Sequence, residues 1–424
     1  MLAFLILGFL MLMAIGLPIA FAIGIAGALA VYLLDLPLML VPHRMVTQLD
    51  SYSLLALPYF VLAGLLMEKG GISHRLFRFA NVLTGHWRGG LAQSAMGASI
   101  VMSGLSGSGV ADISAVGSIA TPGMRAKSYA PGFTAAILAS GGFLGPIIPP
   151  SIMMIVYGSI TGLSIGALFL AGVIPGLVLG LSFMVLIWYR SGRKGYVGEP
   201  RATGREVWEA FAQSWAALIA PVILVGGIVT GIFTATEAGA VAAVYAFIVG
   251  FFIYRELKLK DLFPALLMTG RMTGAIFIII ATAALLGWLL QRMQMPQAMV
   301  SMLSSITEDP TLSLLIIIAL LLVIACFVEV LAAAIILIPV LSPVGAHLGF
   351  DPLHFAFVVV LALQIGTITP PVGVYLFLAN SIAGARLEET VREVLPFLAV
   401  MIAGLLVFAL VPQITLFFPQ MFFD

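Results

Sequence analysis

Two stretches interrupted by glycine and proline carry the residues of this chain that could do chemistry. The first runs from Ser103 to Gly158 and the second from Cys326 to Phe377. In each, an acid stands ten residues before a proline and a glycine stands four residues before a Pro-Pro pair. The acids are Asp112 and Glu329, and the glycines are Gly145 and Gly366. Matched interruptions in two halves of an apolar chain predict the binding site of a secondary transporter.

These stretches offer oxygen ligands to a cation. Glycine and proline leave backbone carbonyls unpaired, and inside a membrane such groups survive only where they face a cavity, a ligand or protein. Hydroxyl oxygens are added by Ser106, Ser108, Thr367 and Thr369. The set suits Na⁺ better than a transition metal, which prefers histidine or cysteine ligands. The same small residues could instead serve close helix packing, but their matched occurrence in two copies favours coordination.

Asp112 and Glu329 are the only acids of the two predicted hairpins, and an acid at membrane depth is a candidate functional residue. Glu329 could coordinate a cation directly or hold a carbonyl-rich loop in shape. We favour Glu329 as the ligand and Asp112 as a supporting residue. Gln364 precedes the second break and could neighbour the ligands or form an interhelical hydrogen bond. Glu237, in the turn-like TATEAG, could cap the start of a helix.

The breaks also predict a place for an anion. Half-helices begin after Pro150 and Pro371, and their N-termini present N–H groups and the positive end of a helix dipole. We therefore expect an anionic solute beside them, at Ser106, Ser151, Thr369, Val372 and Gly373.

Composition places these sites in a membrane. Of the 424 residues, 62% are apolar and 9% are charged, whereas a soluble domain has roughly 25% charged residues. The apolar runs exceed the ~9–11 residues of a barrel strand and do not alternate, so they predict an all-α polytopic membrane protein. The net charge of +1 gives no indication of a nucleic-acid partner, and the single cysteine excludes an intrachain disulfide.

About 11 transmembrane helices are expected to position the two stretches. Residues 1–34 exceed one ~20-residue span, and Gly16 with Pro18 predicts a reversal between two short spans instead of a signal peptide. Re-entrant hairpins are predicted with tips at 106–109 and 326–331, each followed by a broken helix. Further helices are expected at Leu54–Met67, Ile72–Leu83 on the membrane surface, Leu168–Tyr189, Glu206–Trp215, Ala217–Ile232, Ala238–Tyr254, Arg255–Met268 on the surface, Ile276–Leu290 and Phe397–Phe418.

The lysines and arginines orient the hairpins, because basic loops stay cytoplasmic. All but Arg44 and Arg292 of the 19 lie in five stretches, at 69–88, 125–127, 190–205, 255–271 and 386–392. If these stretches are cytoplasmic, the first hairpin opens to the cytoplasm. The second begins after Asp309 and ends before Asp351, between loops without a lysine or arginine. The two repeats are therefore predicted to be inverted.

An enzyme is not expected. The histidines lie in predicted loops or surface helices, at His43, His74, His86, His347 and His354. A membrane-embedded hydrolase or lipid-modifying enzyme would need an acid–base pair at one depth, and the sequence offers none. The phosphate-binding motif of ATP-driven transporters is also absent, which agrees with ion-gradient drive.

Four segments together resemble the signature stretches of a known family. They are SGSGVAD with a later P-x-M, GPIIPPSIMMIVYG, ATEAGAVAAVYA and GTITPPVGVYLF. These resemble the large membrane subunit, DctM, of tripartite ATP-independent periplasmic (TRAP) transporters, from about Gly16 to Ala385. The chain departs from the family pattern at Glu329, where aspartate is commoner, and at Gln364, where asparagine is expected.

The resemblance implies a scaffold and a mobile transport domain of two inverted repeats that works as an elevator. It implies scaffold helices with an arm helix in 1–88, the first transport repeat in 89–166, and scaffold helices with a second arm in 167–270. The second repeat would occupy 271–384 and a C-terminal helix 385–424.

The resemblance further implies Na⁺ as the coupling ion, with no other metal and no cofactor. One sodium site maps onto Ser106, Ser108, Gly109, Gly145 and Pro149, and the other onto Glu329, Gly366, Thr367, Thr369 and Pro370. Its implied partners are a four-helix DctQ-like membrane subunit and a DctP-like periplasmic binding protein, in a bacterial inner membrane. The implied cargo is a small organic acid such as a C4-dicarboxylate or sialic acid. The alternative is a stand-alone Na⁺/dicarboxylate symporter or Na⁺/H⁺ antiporter of related inverted-repeat fold.

Overall fold

The computed structural model describes residues 2–423, and Met1 and Asp424 lie outside it. The described residues form twenty α-helices, a 3₁₀ turn at Tyr52–Leu55 and a π-helical turn at Val249–Ile253, and no β-strand occurs among them. Eight helical segments are long and apolar enough to cross a membrane, by length and composition. The prediction of an all-α polytopic membrane protein is confirmed.

The N-terminal region contains the predicted pair of short helices. Its helices are α1 (Leu2–Ala14), α2 (Ile19–Leu33), α3 (Leu40–Leu49), α4 (Ala56–Lys69) and α5 (Ile72–Thr84). Between α1 and α2 the chain reverses at Gly16, whose φ of +88° is a conformation that favours glycine. Helix α5 buries Ile72 and Leu76 on one face, as its amphipathic pattern predicts.

The first repeat has both interruptions where the sequence predicts them. Its helices are α6 (Gly90–Ser106), α7 (Gly109–Ala126), α8 (Pro131–Phe143) and α9 (Ile152–Thr161). Helices α6 and α7 form the hairpin, which turns at Gly107 with a φ of +62°. Between α8 and α9, residues 144–151 leave the helical path.

The connecting region differs from its predicted helices. It contains α10 (Ile165–Lys194), α11 (Gly204–Val229), α12 (Ala235–Ile248), α13 (Leu259–Arg292) and α14 (Met295–Ile306). Separate helices at 206–215 and 217–232 were predicted, but α11 is continuous through Pro221. Helix α14 was not predicted.

Helix α13 also joins two elements that were predicted to be separate. A surface helix at 255–268 and a span at 276–290 were predicted, and this was wrong because nothing between them ends the helix. The hydroxyls of Thr269 and Thr273 donate to carbonyl oxygens one turn back, at 2.9 and 2.7 Å. The expected domain boundary at 270 therefore falls inside a helix of 34 residues.

The second repeat reproduces the plan of the first. Its helices are α15 (Pro310–Phe327), α16 (Val330–His347), α17 (Pro352–Ile365) and α18 (Val374–Ala383). Helices α15 and α16 form the hairpin, and 366–373 interrupt the second broken helix. The chain continues into α19 (Leu387–Leu410) and α20 (Pro412–Phe423), where one span at 397–418 had been predicted.

The two repeats interlock around two buried half-helices. Nearly every described side chain of α8 and α17 is buried, as in a helix surrounded by protein on all sides. The distal half of each broken helix packs on the hairpin of the other repeat, since α9 contacts α16 and α18 contacts α7. Such an exchange is what two inverted repeats about an axis in the membrane plane produce.

The loop that follows α10 crosses the basic end of the first hairpin. Tyr196 stacks on Tyr129 with ring centroids 4.1 Å apart, and its hydroxyl accepts a hydrogen bond of 2.9 Å from the Ala130 N–H. Glu199 accepts hydrogen bonds from Lys127 at 2.5 Å and from the Asn81 amide at 2.9 Å. The loop thus ties the hairpin to α5.

Replacing Glu199 with glutamine is expected to lower the melting temperature at neutral pH but not in acid. The hydrogen bond from Lys127, and then that from Asn81, lower the pKa of Glu199. A lowered folded pKa contributes stability above the unfolded value of about 4.3, and that stability is lost as the pH falls through the folded pKa. For so exposed a pair the difference should be about 0.2–1 kcal/mol. Melting curves of the native and Glu199→Gln proteins, recorded from acid to neutral pH, measure this difference in stability. An equal difference at all pH values would contradict the lowered pKa of Glu199.

Candidate functional site

One cavity of about 250 Å³ lies where the two hairpin tips meet the two helix breaks. The first repeat contributes Gly107, Ser108, Val110, Pro146, Ile152 and Met153. The second contributes Ala325, Val328, Glu329, Val330, Leu331, Gln364, Gly366, Thr367, Val372, Gly373, Val374 and Tyr375, and α13 adds Met272 and Ile276. The two interrupted segments, which lie half the chain apart in sequence, therefore line one cavity.

The tip of the first hairpin packs directly on the first break. A Cβ on Gly107 would lie 2.5 Å from the Pro150 carbonyl oxygen, and the Ile152 N–H donates to the Gly107 carbonyl at 3.5 Å. A Cβ on Gly145 would lie 2.8 Å from both the Gly109 nitrogen and Asp112 Oδ2. Backbone groups of the tip and the break thus approach as closely as glycine allows.

Asp112 organises the first tip from beneath. It is fully buried and accepts hydrogen bonds from Ser106 Oγ at 2.6 Å and from Ser103 Oγ at 3.1 Å. Ser106 Oγ in turn accepts from the Ser108 N–H at 3.2 Å. Asp112 is therefore linked through the Ser106 hydroxyl to the backbone of the turn at Ser108, and its supporting role in ion binding stays a prediction.

The second tip packs on the second break in the same way. A Cβ on Gly366 would lie 2.2 Å from the Ala325 carbonyl oxygen, so no side chain fits there. The Val372 N–H donates to the Cys326 carbonyl at 3.3 Å. The Thr367 hydroxyl donates to the Gln364 carbonyl at 2.7 Å. The break is thereby clamped to the end of α15.

Glu329 begins α16 and faces the cavity. Its two carboxylate oxygens accept hydrogen bonds from the N–H groups of Leu331 at 3.0 Å and Ala332 at 2.8 Å. A carboxylate at a helix N-terminus satisfies backbone donors and favours the helix dipole. Each oxygen has further lone pairs, so capping leaves room for a cation. Of the two roles considered for Glu329, the geometry displays the one that shapes the loop, and the ligand role stays a prediction.

Tyr375 joins the two repeats and was not predicted from the sequence. Its hydroxyl accepts a hydrogen bond of 3.0 Å from Gln364 Nε2, and its ring lies against Gly109, where a Cβ would come within 2.5 Å. It is 7% exposed and lines the cavity. The only signal available was its position five residues after Pro370 in GTITPPVGVYLF.

The predicted residues fall into three groups around the cavity. Those that line it are Ser108, Glu329, Gln364, Gly366, Thr367, Val372 and Gly373. Ser106, Gly109, Asp112 and Gly145 form the layer behind the first tip. Pro149, Ser151, Thr369 and Pro370 are not among the lining residues.

The hydroxyls of that last group bond to the breaks themselves. Ser151 Oγ donates to the Pro146 carbonyl at 2.5 Å and accepts from the Met154 N–H at 3.3 Å, which caps α9. Thr369 Oγ1 donates to the Ile365 carbonyl at 2.8 Å. Both hydroxyls therefore stabilise the broken backbone, and contact with an ion or solute stays a prediction for them.

Several acids and histidines outside this cavity have structural surroundings in the part of the chain that is described. Among the described residues, no group of three or more His, Cys, Asp or Glu side chains could hold a metal ion. His354, expected in a loop or surface helix, is instead buried in α17 at 1% exposure, because its Nδ1 pairs with Thr415 Oγ1 at 2.9 Å. Glu237 caps the start of α12 through a reciprocal pair of hydrogen bonds with Thr234, which is the role considered for it.

Solved structures support the fold independently of sequence. The YdaH transporter of Alcanivorax borkumensis matches with a TM-score of 0.62 at 15% sequence identity, covering 87% of each chain. At this identity the likeness concerns the fold alone.

Sequence relatives identify the family. The C4-dicarboxylate TRAP transporter large permease protein DctM of Pseudomonas aeruginosa is 42% identical over 88% of this chain and 87% of its own. The 2,3-diketo-L-gulonate TRAP transporter large permease protein YiaN of Escherichia coli is 37% identical over 95% of both chains. The isethionate TRAP transporter permease protein DctMQ of Oleidesulfovibrio alaskensis is 38% identical over 97% of this chain but 65% of its own length. Residues 6–414 match the family model described as "Tripartite ATP-independent periplasmic transporter, DctM component". This chain therefore belongs to the DctM family of TRAP transporter large permease proteins.

Proposed function

We propose that this chain is the permease subunit of a Na⁺-coupled importer of a small organic acid delivered by a periplasmic binding protein. The observation that carries the proposal is the single cavity formed by both hairpin tips and both helix breaks. Binding an ion and a solute in one such cavity couples them, because each then changes the affinity of the other by the same factor.

The lining suits a monovalent cation beside an anion. Hydroxyl and backbone oxygens surround one carboxylate, that of Glu329, and hard oxygen ligands favour Na⁺ over a transition metal. The N-terminus of α18 opens at the cavity through Gly373 and Val374, where the positive end of the helix dipole favours a carboxylate. We propose a C4-dicarboxylate, sialic acid or a similar carboxylate as the solute.

Transport is proposed to follow an elevator-type alternating access, in which the interlocked repeats move together against the remaining helices. The interlocking of α9 with α16 and of α18 with α7 supports motion as one body. A DctQ-like small subunit is the proposed membrane partner, since the DctMQ relative extends well beyond the part matched by this chain. The proposed location is the inner membrane of a bacterium.

Uptake of labelled succinate by proteoliposomes tests the proposal. Vesicles containing this chain, a small subunit and a binding protein should accumulate succinate only with an inward Na⁺ gradient. Uptake by this chain alone would favour the stand-alone symporter, and Na⁺-driven proton movement without succinate would favour the antiporter. Uptake with no ion gradient would overturn the proposal.

Replacing Ser108 with leucine is expected to reduce Na⁺-dependent uptake by at least about tenfold, since the larger side chain would enter a cavity of about 250 Å³. Ser114→Leu is the matched control, because Ser114 lies on the same hairpin, bonds its own helix at Val110 O and does not line the cavity. Both variants should insert into the membrane equally. Full uptake by Ser108→Leu would remove this side chain from the mechanism.

A further inference from the structure

A second polar cavity, of about 260 Å³, lies at the end of α13 opposite the basic loops. Its polar lining residues are Arg44, Thr47 and Gln48 of α3 with Trp288 and Gln291 of α13. The opposite wall comes from Ile160 of α9 and from Ile335 and Pro339 of α16. We call it the outer cavity, and we call the cavity between the two hairpin tips and the two helix breaks the hairpin cavity. The two cavities share no lining residue.

Arg44 gives the outer cavity its charge. Its guanidinium carbon lies 4.8 Å from the centroid of the Trp288 ring, within the range of a cation–π interaction. Its Nε is buried without a hydrogen-bond partner, and no ion pair of the described residues includes Arg44. A buried, unpaired donor on a charged group is costly and is relieved by an oxyanion, which the guanidinium fork binds with two hydrogen bonds.

The outer cavity leads toward the hairpin cavity along the same helices. On α13, Met272 and Ile276 line the hairpin cavity. Ile280, one turn later and about 6 Å farther along the helix axis, is the first residue of α13 that lines the outer cavity. Helices α9 and α16 repeat the pattern, through Met153 then Ile160 and through Leu331 then Ile335. Three helices thus carry both cavities in succession.

We propose that the outer cavity binds the carboxylate of the solute on its way to the hairpin cavity, with Arg44 as the binding residue. A lipid phosphate offers the same oxyanion chemistry, but the succession of the two cavities favours the solute. The choice of a carboxylate solute rests on the proposed function, whereas binding to Arg44 is measurable without transport.

Tryptophan fluorescence of this chain in phosphatidylcholine nanodiscs tests the site with succinate as the probe. The native protein should show a saturable change that is absent in Trp288→Phe. Arg44→Gln should weaken binding by at least about tenfold, as expected for the loss of a charge-assisted hydrogen bond. Arg44→Lys keeps the charge but lacks the planar guanidinium, so its affinity for succinate should lie between those of the native protein and Arg44→Gln.

Arg292→Gln is the matched control. Arg292 lies 5.7 Å from the same Trp288 ring but does not line the cavity, so its variant should bind succinate as the native protein does. In uptake assays Arg44→Gln should raise KM and leave kcat nearly unchanged. Ser108→Leu should lose uptake but keep the fluorescence response, which separates this site from the hairpin cavity.

Three results would overturn the proposal. The first is an equal response in Arg44→Gln and native protein. The second is the absence of any saturable response to succinate. The third is a response to phosphatidylglycerol in the nanodisc but not to succinate, which would identify a lipid site.

Discussion

Replacing Gly366 with alanine is expected to abolish Na⁺-dependent uptake. The added Cβ would lie 2.2 Å from the carbonyl oxygen of Ala325 and 2.4 Å from its Cβ, so the second break and the end of α15 would have to separate. Overpacking of this kind costs typically about 1–3 kcal/mol, which is enough to displace the backbone groups that shape the site. Gly145→Ala should act similarly at the first break, where the Cβ would meet Asp112 Oδ2 and the Gly109 nitrogen at 2.8 Å.

Gly274→Ala is the matched control for both substitutions. Gly274 lies on α13 between two residues that line the cavity, Met272 and Ile276, and an added Cβ there meets nothing within 4 Å. Its uptake should equal that of the native protein when equal amounts are inserted into vesicles. Near-normal uptake by Gly366→Ala would show that the close contact with Ala325 is dispensable.

Replacing Glu329 with glutamine is expected to raise the Na⁺ concentration for half-maximal uptake by about tenfold or more. Glutamine keeps one acceptor for the capping hydrogen bonds but removes the only carboxylate in the lining. Hydrogen bonds to a charged group contribute about 1.5–3 kcal/mol, more than neutral ones, so both the tip and any bound cation lose stabilisation. Glu329→Asp keeps the charge and is a strong capping residue, so its Na⁺ dependence should stay close to native.

Glu237→Gln is the control for the loss of a capping carboxylate outside the cavity. Glu237 also caps a helix through its carboxylate, at α12, but it is exposed and does not line the cavity. Its variant should leave the Na⁺ dependence of uptake unchanged. An unchanged Na⁺ dependence in Glu329→Gln would reduce Glu329 to a capping residue.

The interruptions of this fold were predictable from the sequence because glycine and proline act locally. Gly16 with Pro18, Gly107, and the two Pro-Pro pairs each mark a place where the helix ends. The pairing of the two breaks followed from their matched spacing. The inversion followed from the distribution of lysine and arginine, since that distribution reflects membrane side and not packing.

Helix continuity was harder to predict, because a change in polarity resembles a boundary. In α13 the basic first turns become a membrane span without a break, and in α11 the same occurs after an amphipathic start. Neither change in polarity interrupts the backbone hydrogen bonds of the helix. A helix ends where those bonds are lost.

Contacts between the repeats lay beyond the sequence pattern. The sequence pattern indicates an ordinary apolar position for Tyr375 in α18, yet its ring contacts Gly109 in the hairpin of the first repeat. Ser103 reads as a small packing residue, yet it donates to Asp112. Ser151 and Thr369 show the opposite case. Their hydroxyl groups were predicted to contact a ligand, but they donate hydrogen bonds to nearby backbone carbonyls. These distinctions depend on tertiary neighbours that periodicity does not encode.

Equilibrium binding of radiolabelled Na⁺ to the purified protein, with and without succinate, tests most directly whether the two breaks form one coupled site. Na⁺ should bind saturably to the native protein and more tightly with succinate, and succinate should bind more tightly with Na⁺ by the same factor. Gly145→Ala and Gly366→Ala should each lose this coupling while Gly274→Ala keeps it. Na⁺ binding that ignores succinate, or that survives unchanged in both variants at the breaks, would contradict a shared site.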